Sequence, residues 1–162
     1  MKVMNIMIRA LKLDAVLYEE IEKSEQYTKD SILIAAIVIL LSSIGFKAFN
    51  VYDIIVAIIS ISIGIALWTG IVIAISYKML SVRIDTSTFV NCLLAGFSPM
   101  LFNILYKIPY VGFYISVAVF LWTLTSIAVV LKQLLEQEYT SCLILSALGA
   151  VFYFIAVIIL LG

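Results

Sequence analysis

The sequence of 162 residues contains no histidine. That absence removes the commonest general base, the commonest metal ligand and the side chain that titrates near neutral pH. Charge is also scarce. Asp, Glu, Lys and Arg make up 12% of the chain, ten of each sign, for a formal net charge of zero. A soluble domain of this length needs many more charged side chains to cover its core, and a neutral chain with no basic tail has no electrostatic footprint for nucleic acid. The two cysteines, Cys92 and Cys142, lie inside apolar runs without a CxxC spacing, so they read as small buried residues and not as a disulfide or metal pair. The two prolines are Pro99 and Pro109.

Apolar residues are abundant. They make up 65% of the chain and the mean hydropathy is +1.22, outside the range of soluble domains, where apolar residues are about half. Five runs carry this excess: about 31–47, 54–78, 88–107, 110–132 and 140–161. Each approaches the ~20 residues that a hydrocarbon layer of about 30 Å demands of a helix, the first being the shortest. Backbone amides find no water in lipid, so each run is expected to be helical. The predicted fold is therefore all-α, a polytopic bundle of five transmembrane helices (31–162) preceded by a short amphipathic, interfacial helical region (1–30). Pro109 cannot continue a helix and sets the turn between the third and fourth spans.

The start, MKVMNIMIRALKL, has Arg9 and Lys12 inside its apolar part and no small-residue cleavage site after it, unlike a signal peptide. Lys2, Asn5, Arg9 and Lys12 form a narrow polar stripe at helical spacing. Lys2, Arg9 and Lys12 are accordingly expected to contact lipid headgroups, anionic ones included, with a cap packed on the bundle as the alternative. Asp14 is a natural N-cap for a second short helix over 15–26, which is acidic and carries Leu13, Leu17 and Ile21 as its apolar stripe. Its acidic face is either solvated or a docking surface for a basic partner. Thr28 is the expected N-cap of the first span.

Basic residues are distributed unevenly. With five crossings, Lys2, Arg9, Lys12, Lys23, Lys29, Lys78, Arg83 and Lys132 share one side, and Lys47 and Lys107 the other. This asymmetry predicts a cytoplasmic N-terminus and an outside C-terminus in a multi-pass cell-membrane protein. Tyr52, Tyr106 and Tyr110 at one edge and Tyr77 and Tyr139 at the other fit interfacial aromatic belts.

Buried ionisable groups usually mark the working parts of membrane enzymes and transporters, and the five runs hold none in their interiors. Neither catalysis, nor a metal, nor a cofactor is expected. The third run is unusual in bringing Asn91, Cys92, Gly96, Ser98, Pro99 and Asn103 into one span. Pro99 should kink the helix and orphan the carbonyl of Ala95. Cys92, Gly96, Pro99 and Asn103, at spacings of four, three and four, predict one small face for helix packing, a lipid or a partner. Ser60 with Gly64, Ala66 with Gly70, and Cys142, Ser146 and Ala150 repeat the small-residue spacing. Trp68 and Trp122 lie mid-span and read as packing anchors, with Thr69, Thr123 and Thr125 as nearby acceptors for an indole N–H.

The mid-span Trp68, the element Ala95-Gly96-Phe97-Ser98-Pro99, then Trp122, Leu131-Lys132-Gln133 and Tyr139-Thr140-Ser141 resemble the Yip (Ypt-interacting protein) family, in the manner of its compact prokaryotic members. The resemblance implies a five-span, non-enzymatic protein of trafficking or membrane shaping, which in eukaryotic members binds prenylated Rab-type GTPases. The Asp-Leu-Tyr-Gly-Pro motif of those members is missing here: Leu17-Tyr18 is not followed by Gly-Pro. The implied role is thus organisation of the bilayer, of other membrane proteins or of a homo-oligomer. The alternative from a different class is a small channel or transporter subunit, with Asn91, Ser98 and Asn103 along a polar path.

Overall fold

The structure, a computed structural model, describes residues 2–23, 27–46, 50–80 and 85–161. Among these there are seven α-helices and one 3-10 helix, and no strand. In order they are α1 (Lys2–Leu11), α2 (Ala15–Glu22), α3 (Tyr27–Phe46), α4 (Val51–Leu80), α5 (Thr86–Gly96), the 3-10 helix Ser98–Lys107, α6 (Gly112–Leu135) and α7 (Tyr139–Leu161). Five helical stretches are long and apolar enough to cross a membrane: Tyr27–Phe46, Val51–Lys78, Thr86–Lys107, Gly112–Leu135 and Tyr139–Leu160. The chain is a multi-pass α-helical membrane protein. Lys47 and Arg83, used above in the charge count, lie outside the described residues.

The first span begins earlier than its apolar run. Tyr27, Thr28, Lys29 and Asp30 are already helical, so Thr28 lies inside the helix and not at its cap. Asp14 does cap α2, accepting a hydrogen bond from the Val16 amide at 3.1 Å. Asp85 caps α5 in the same way, through Thr88 N at 3.0 Å. The turn at Pro109 is closed by Gly112 N donating to Ile108 O at 2.9 Å. Gly112 is required there, since a Cβ would collide with the carbonyl of Tyr106.

The third crossing is the axle of the bundle: 61% of its apolar window is buried inside the protein, against 33–39% for the other four. It packs on α3 and α6 along its length, while α4 pairs chiefly with α7. The α4–α7 contact is reciprocal. Gly64 of α4 receives the ring of Tyr153, and Gly149 of α7 receives the indole of Trp68. Trp68 is only 1% exposed and its ring also meets Phe97 edge-on at 5.2 Å and Tyr153 at 5.7 Å. Lipid is as apolar as these side chains, so the contact is held by close packing and not by expulsion of water. The indole N–H is buried without a hydrogen-bond partner. Thr123 and Thr125 donate instead to carbonyls of their own helix, Val119 and Leu121, so Trp68 is held by shape alone. Trp122 is half-buried and stacks on Phe102 at 5.7 Å with the rings 12° apart.

The closest approach is between α3 and the 3-10 helix. A Cβ on Gly45 would collide with the backbone of Asn103, and Ser42 Oγ donates to Met100 O at 2.8 Å. Three glycines therefore differ in what a methyl group would meet. Gly45→Ala and Gly149→Ala are expected to destabilise the protein by about 1–3 kcal/mol each through overpacking. Gly70→Ala, where the space within 4 Å is empty, is expected to be neutral or to stabilise by up to about 1 kcal/mol through helix propensity. Thermal or denaturant unfolding of the detergent-solubilised variants checks this order.

Candidate functional site

The polar residues of the third crossing start from a break. Proline has no amide hydrogen and its ring clashes with the preceding turn, so α5 ends at Gly96 and the chain continues past Phe97 as a 3-10 helix. The carbonyl of Ala95 is not left orphaned: Ser98 Oγ donates to it at 2.6 Å, fully buried. Phe97 N bonds both Leu93 O and Leu94 O, at 3.2 and 3.3 Å.

This break splits the face expected from a uniform helix. An α-helix turns about 100° per residue and a 3-10 helix about 120°, so residues spaced for one face before Pro99 drift off it afterwards. Cys92 turns toward α2, its Sγ 3.7 Å from Tyr18 O. Gly96 lies against Ile127 and Val130 of α6. Pro99 is buried at the start of the 3-10 helix. Asn91 donates to Thr28 Oγ1 of α3 at 2.9 Å, near the membrane surface. Asn103, 4% exposed, lines a separate cavity of about 40 Å³ with Trp68, Met100, Ser116 and Thr123. That volume holds roughly three water molecules at most. Among the described residues, Asn91, Ser98 and Asn103 thus occupy three different environments and do not line one passage. No group of three His, Cys, Asp or Glu side chains among the described residues is close enough to share a metal ion.

The N-terminal helices close one end of the bundle. Ile6 and Ala10 of α1 are buried in the common core, as are Leu17, Tyr18 and Ile21 of α2. Helix α1 packs on α3, α5 and the 3-10 helix, and α2 on α5 and α6. Met4, Ile8 and Lys12 remain exposed; nothing is described of the Lys2 side chain. Arg9 is committed within the protein. Its guanidinium holds Glu20 with both terminal nitrogens, at 2.7 and 3.0 Å, and Asp14 through Nε at 2.7 Å. This fork fixes α1 to α2 across the turn at Leu13, whose φ is 58°. Gln133 Nε2 adds a bond to Glu19 Oε1 at 3.0 Å, tying α2 to the end of α6. The acidic helix is thus anchored on its apolar side, with Glu22 and Lys23 outward. Tyr18, buried and facing Ser126, has its hydroxyl pushed up to about 12 by burial.

Two residues that matter most to the packing, Gly45 and Gly149, were not distinguishable by small-residue spacing. Gly45 stands next to Ser42 and Ser43 near the end of a run, and its role is visible only from the partner strand of backbone it meets. No protein-family model, no curated protein and no solved structure matches the chain.

The hydrogen bond from Arg9 holds the carboxyls of Asp14 and Glu20 below their ordinary values of 3.8 and 4.5. A carboxylate lowered in the folded state contributes stability that is fully present above its ordinary value and is lost as the pH falls through the lowered one. Docking of α1 on α2 is therefore expected to be pH-independent above about pH 5 and to weaken progressively below about pH 4. Amide exchange of α1 followed by mass spectrometry reads this. Arg9→Gln should raise exchange at neutral pH and flatten its acid dependence, and an unchanged profile would contradict the clamp.

Proposed function

We propose that this chain is a non-enzymatic integral membrane protein of the Yip kind, residing in the cell membrane with its N-terminal helices in the cytoplasm and its C-terminus outside. It organises membrane or partner membrane proteins, and it neither transforms nor conducts a solute. The observation that carries this reading is the fate of the polar groups in the third crossing. Asn91 and Ser98 are engaged by Thr28 and by the Ala95 carbonyl, and Asn103 faces a cavity of about 40 Å³. A solute path needs such groups aligned along a hydrated route.

Two further features support it. The Gly-Phe-Ser-Pro element that underlies the resemblance creates the bend, repairs it with Ser98 and supplies Phe97 to the ring of Trp68. Helices α1 and α2 present exposed apolar and acidic side chains, Met4, Ile8, Val16 and Glu22, on the same end of the bundle. A partner with a basic, partly apolar segment fits that end.

Proteoliposomes loaded with ions or small solutes are expected to leak no faster than empty vesicles. Flux that disappears in Asn103→Ala would replace this reading with a channel or transporter subunit. Crosslinking in cells from a photoreactive residue at position 16 or 22, followed by mass spectrometry, is expected to capture the same membrane-protein partners repeatedly. Reporters fused to the two ends should fall in opposite compartments.

A further inference from the structure

Two open cavities share the helices α3 and α5. The first, about 650 Å³, lies at the membrane surface beside the N-terminal helices, where α2 ends and α5 begins. It carries two carboxylates, Glu22 and Asp85, and one ammonium, Lys23, with the hydroxyls of Thr28 and Ser87 and the amide of Asn91 among them. The second, about 430 Å³, lies deeper, between α3, α4 and α5, and its walls include Ala35, Ile39, Ala66, Gly70, Val90 and Leu94. The lining residues succeed one another along the same faces. On α3, Thr28 is followed by Ala35 and Ile39, at spacings of seven and four. On α5, Ser87 and Asn91 are interleaved with Val90 and Leu94, at spacings of three or four. Such spacings keep residues on one side of a helix.

We propose that these cavities form one binding site for a single phospholipid with a primary-amine, zwitterionic headgroup, taken from the leaflet on the side of the N-terminal helices. The order of polarity along the membrane normal is that of a lipid: hydrogen-bonding groups at the surface and mostly aliphatic walls below, with Ser62 and Thr69 the polar exceptions. The charges at the mouth select the headgroup. Among the described lining residues, two carboxylates stand against one ammonium, itself 3.8 Å from Glu19, which suits a ligand that brings a positive amine together with a phosphate. Both backbone and side-chain bonds of Thr88 go to Asp85 Oδ2, which leaves Oδ1 to accept from an ammonium. Thr28 Oγ1 accepts from Asn91, so its own proton is free to be donated to a phosphate oxygen, beside Lys23 and the Ser87 hydroxyl.

The deeper groove suits an acyl chain better than a second protein helix. Close helix contact needs small residues along the whole seam, and here Ile65 and Ile73 stand beside Ala66 and Gly70. Gly70 itself has nothing within 4 Å of where a Cβ would be and is exposed, so it forms an open floor that a chain can cover. This site shares Glu22 with the end of the bundle proposed above to meet a partner, but it does not rest on that role, and lipid retention is read without any partner present.

The test uses the full-length protein reconstituted in vesicles of phosphatidylethanolamine, phosphatidylcholine and phosphatidylglycerol in equal amounts, re-extracted in mild detergent and weighed intact by native mass spectrometry. Retention of phosphatidylethanolamine over the other two is expected. Glu22→Gln combined with Asp85→Asn, which keeps an N-cap side chain, should lower that retention roughly tenfold, the loss expected for a charge-assisted hydrogen bond. Gly70→Leu, which fills empty space, should lower retention of all three lipids while the unfolding temperature holds. Preferential retention of phosphatidylglycerol, or equal retention by Gly70→Leu and the parent protein, overturns the proposal. So does a dimer that Gly70→Leu dissolves with bound lipid unchanged, since the groove would then belong to a second copy.

Discussion

Hydrocarbon offers no hydrogen bonds, and the third crossing must live with that while carrying a proline at its centre. Any backbone group freed in lipid costs several kcal/mol unless the protein supplies a partner. Here the repair is local and interhelical at once. Ser98 turns back onto the Ala95 carbonyl, and Ser42 of α3 reaches the Met100 carbonyl. The second bond requires α3 to stand against the backbone of the 3-10 helix, which in turn requires Gly45. A break that only protein can satisfy places this span at the middle of the bundle, and its greater burial follows.

The remaining helices are arranged around that axle by complementary size. Large and small residues alternate across α4 and α7, Trp68 into Gly149 and Tyr153 against Gly64. The same indole meets Phe97, the residue at the break. One ring therefore connects the α4–α7 pair to the irregular span, and the cost of its unpartnered N–H is a measure of how strongly shape governs this interior. At the surface the logic reverses: α1 and α2 are held by the Arg9 fork and by buried Leu17, Tyr18 and Ile21.

Much of this was legible in the residues. Five apolar runs gave the five crossings, because length and hydropathy are direct consequences of bilayer thickness. Asp14 announced α2, and Pro99 announced the break. What stayed hidden were matters of pairing between distant segments. The spacing of Cys92, Gly96, Pro99 and Asn103 implied one face, yet Cys92 and Gly96 on α5 meet α2 and α6 in turn, and the change from 100° to about 120° per residue beyond the break turns Asn103 away from both. Arg9 read as a headgroup contact because its two carboxylates, Asp14 and Glu20, lie across a turn whose geometry no periodicity reveals. Gly45 and Gly149 gave no signal because a glycine's purpose here is defined by what approaches it. The cavities along α3 and α5 combine residues from separate runs, and single-run reading misses them.

The 3-10 helix has a consequence for thickness. It rises about 2.0 Å per residue where an α-helix rises about 1.5 Å, so the ten residues Ser98–Lys107 reach roughly 20 Å in place of about 15 Å. The tighter coil lets a stretch of only ten residues, most of them apolar, cover the far half of the hydrocarbon layer, and it presents a slimmer rod to α3 than a regular helix would. Were this stretch to relax into an α-helix, its end at Lys107 would be drawn about 5 Å inward, carrying an ammonium group toward the acyl chains. The position of that lysine at the boundary is thus set by the pitch of the coil beneath it.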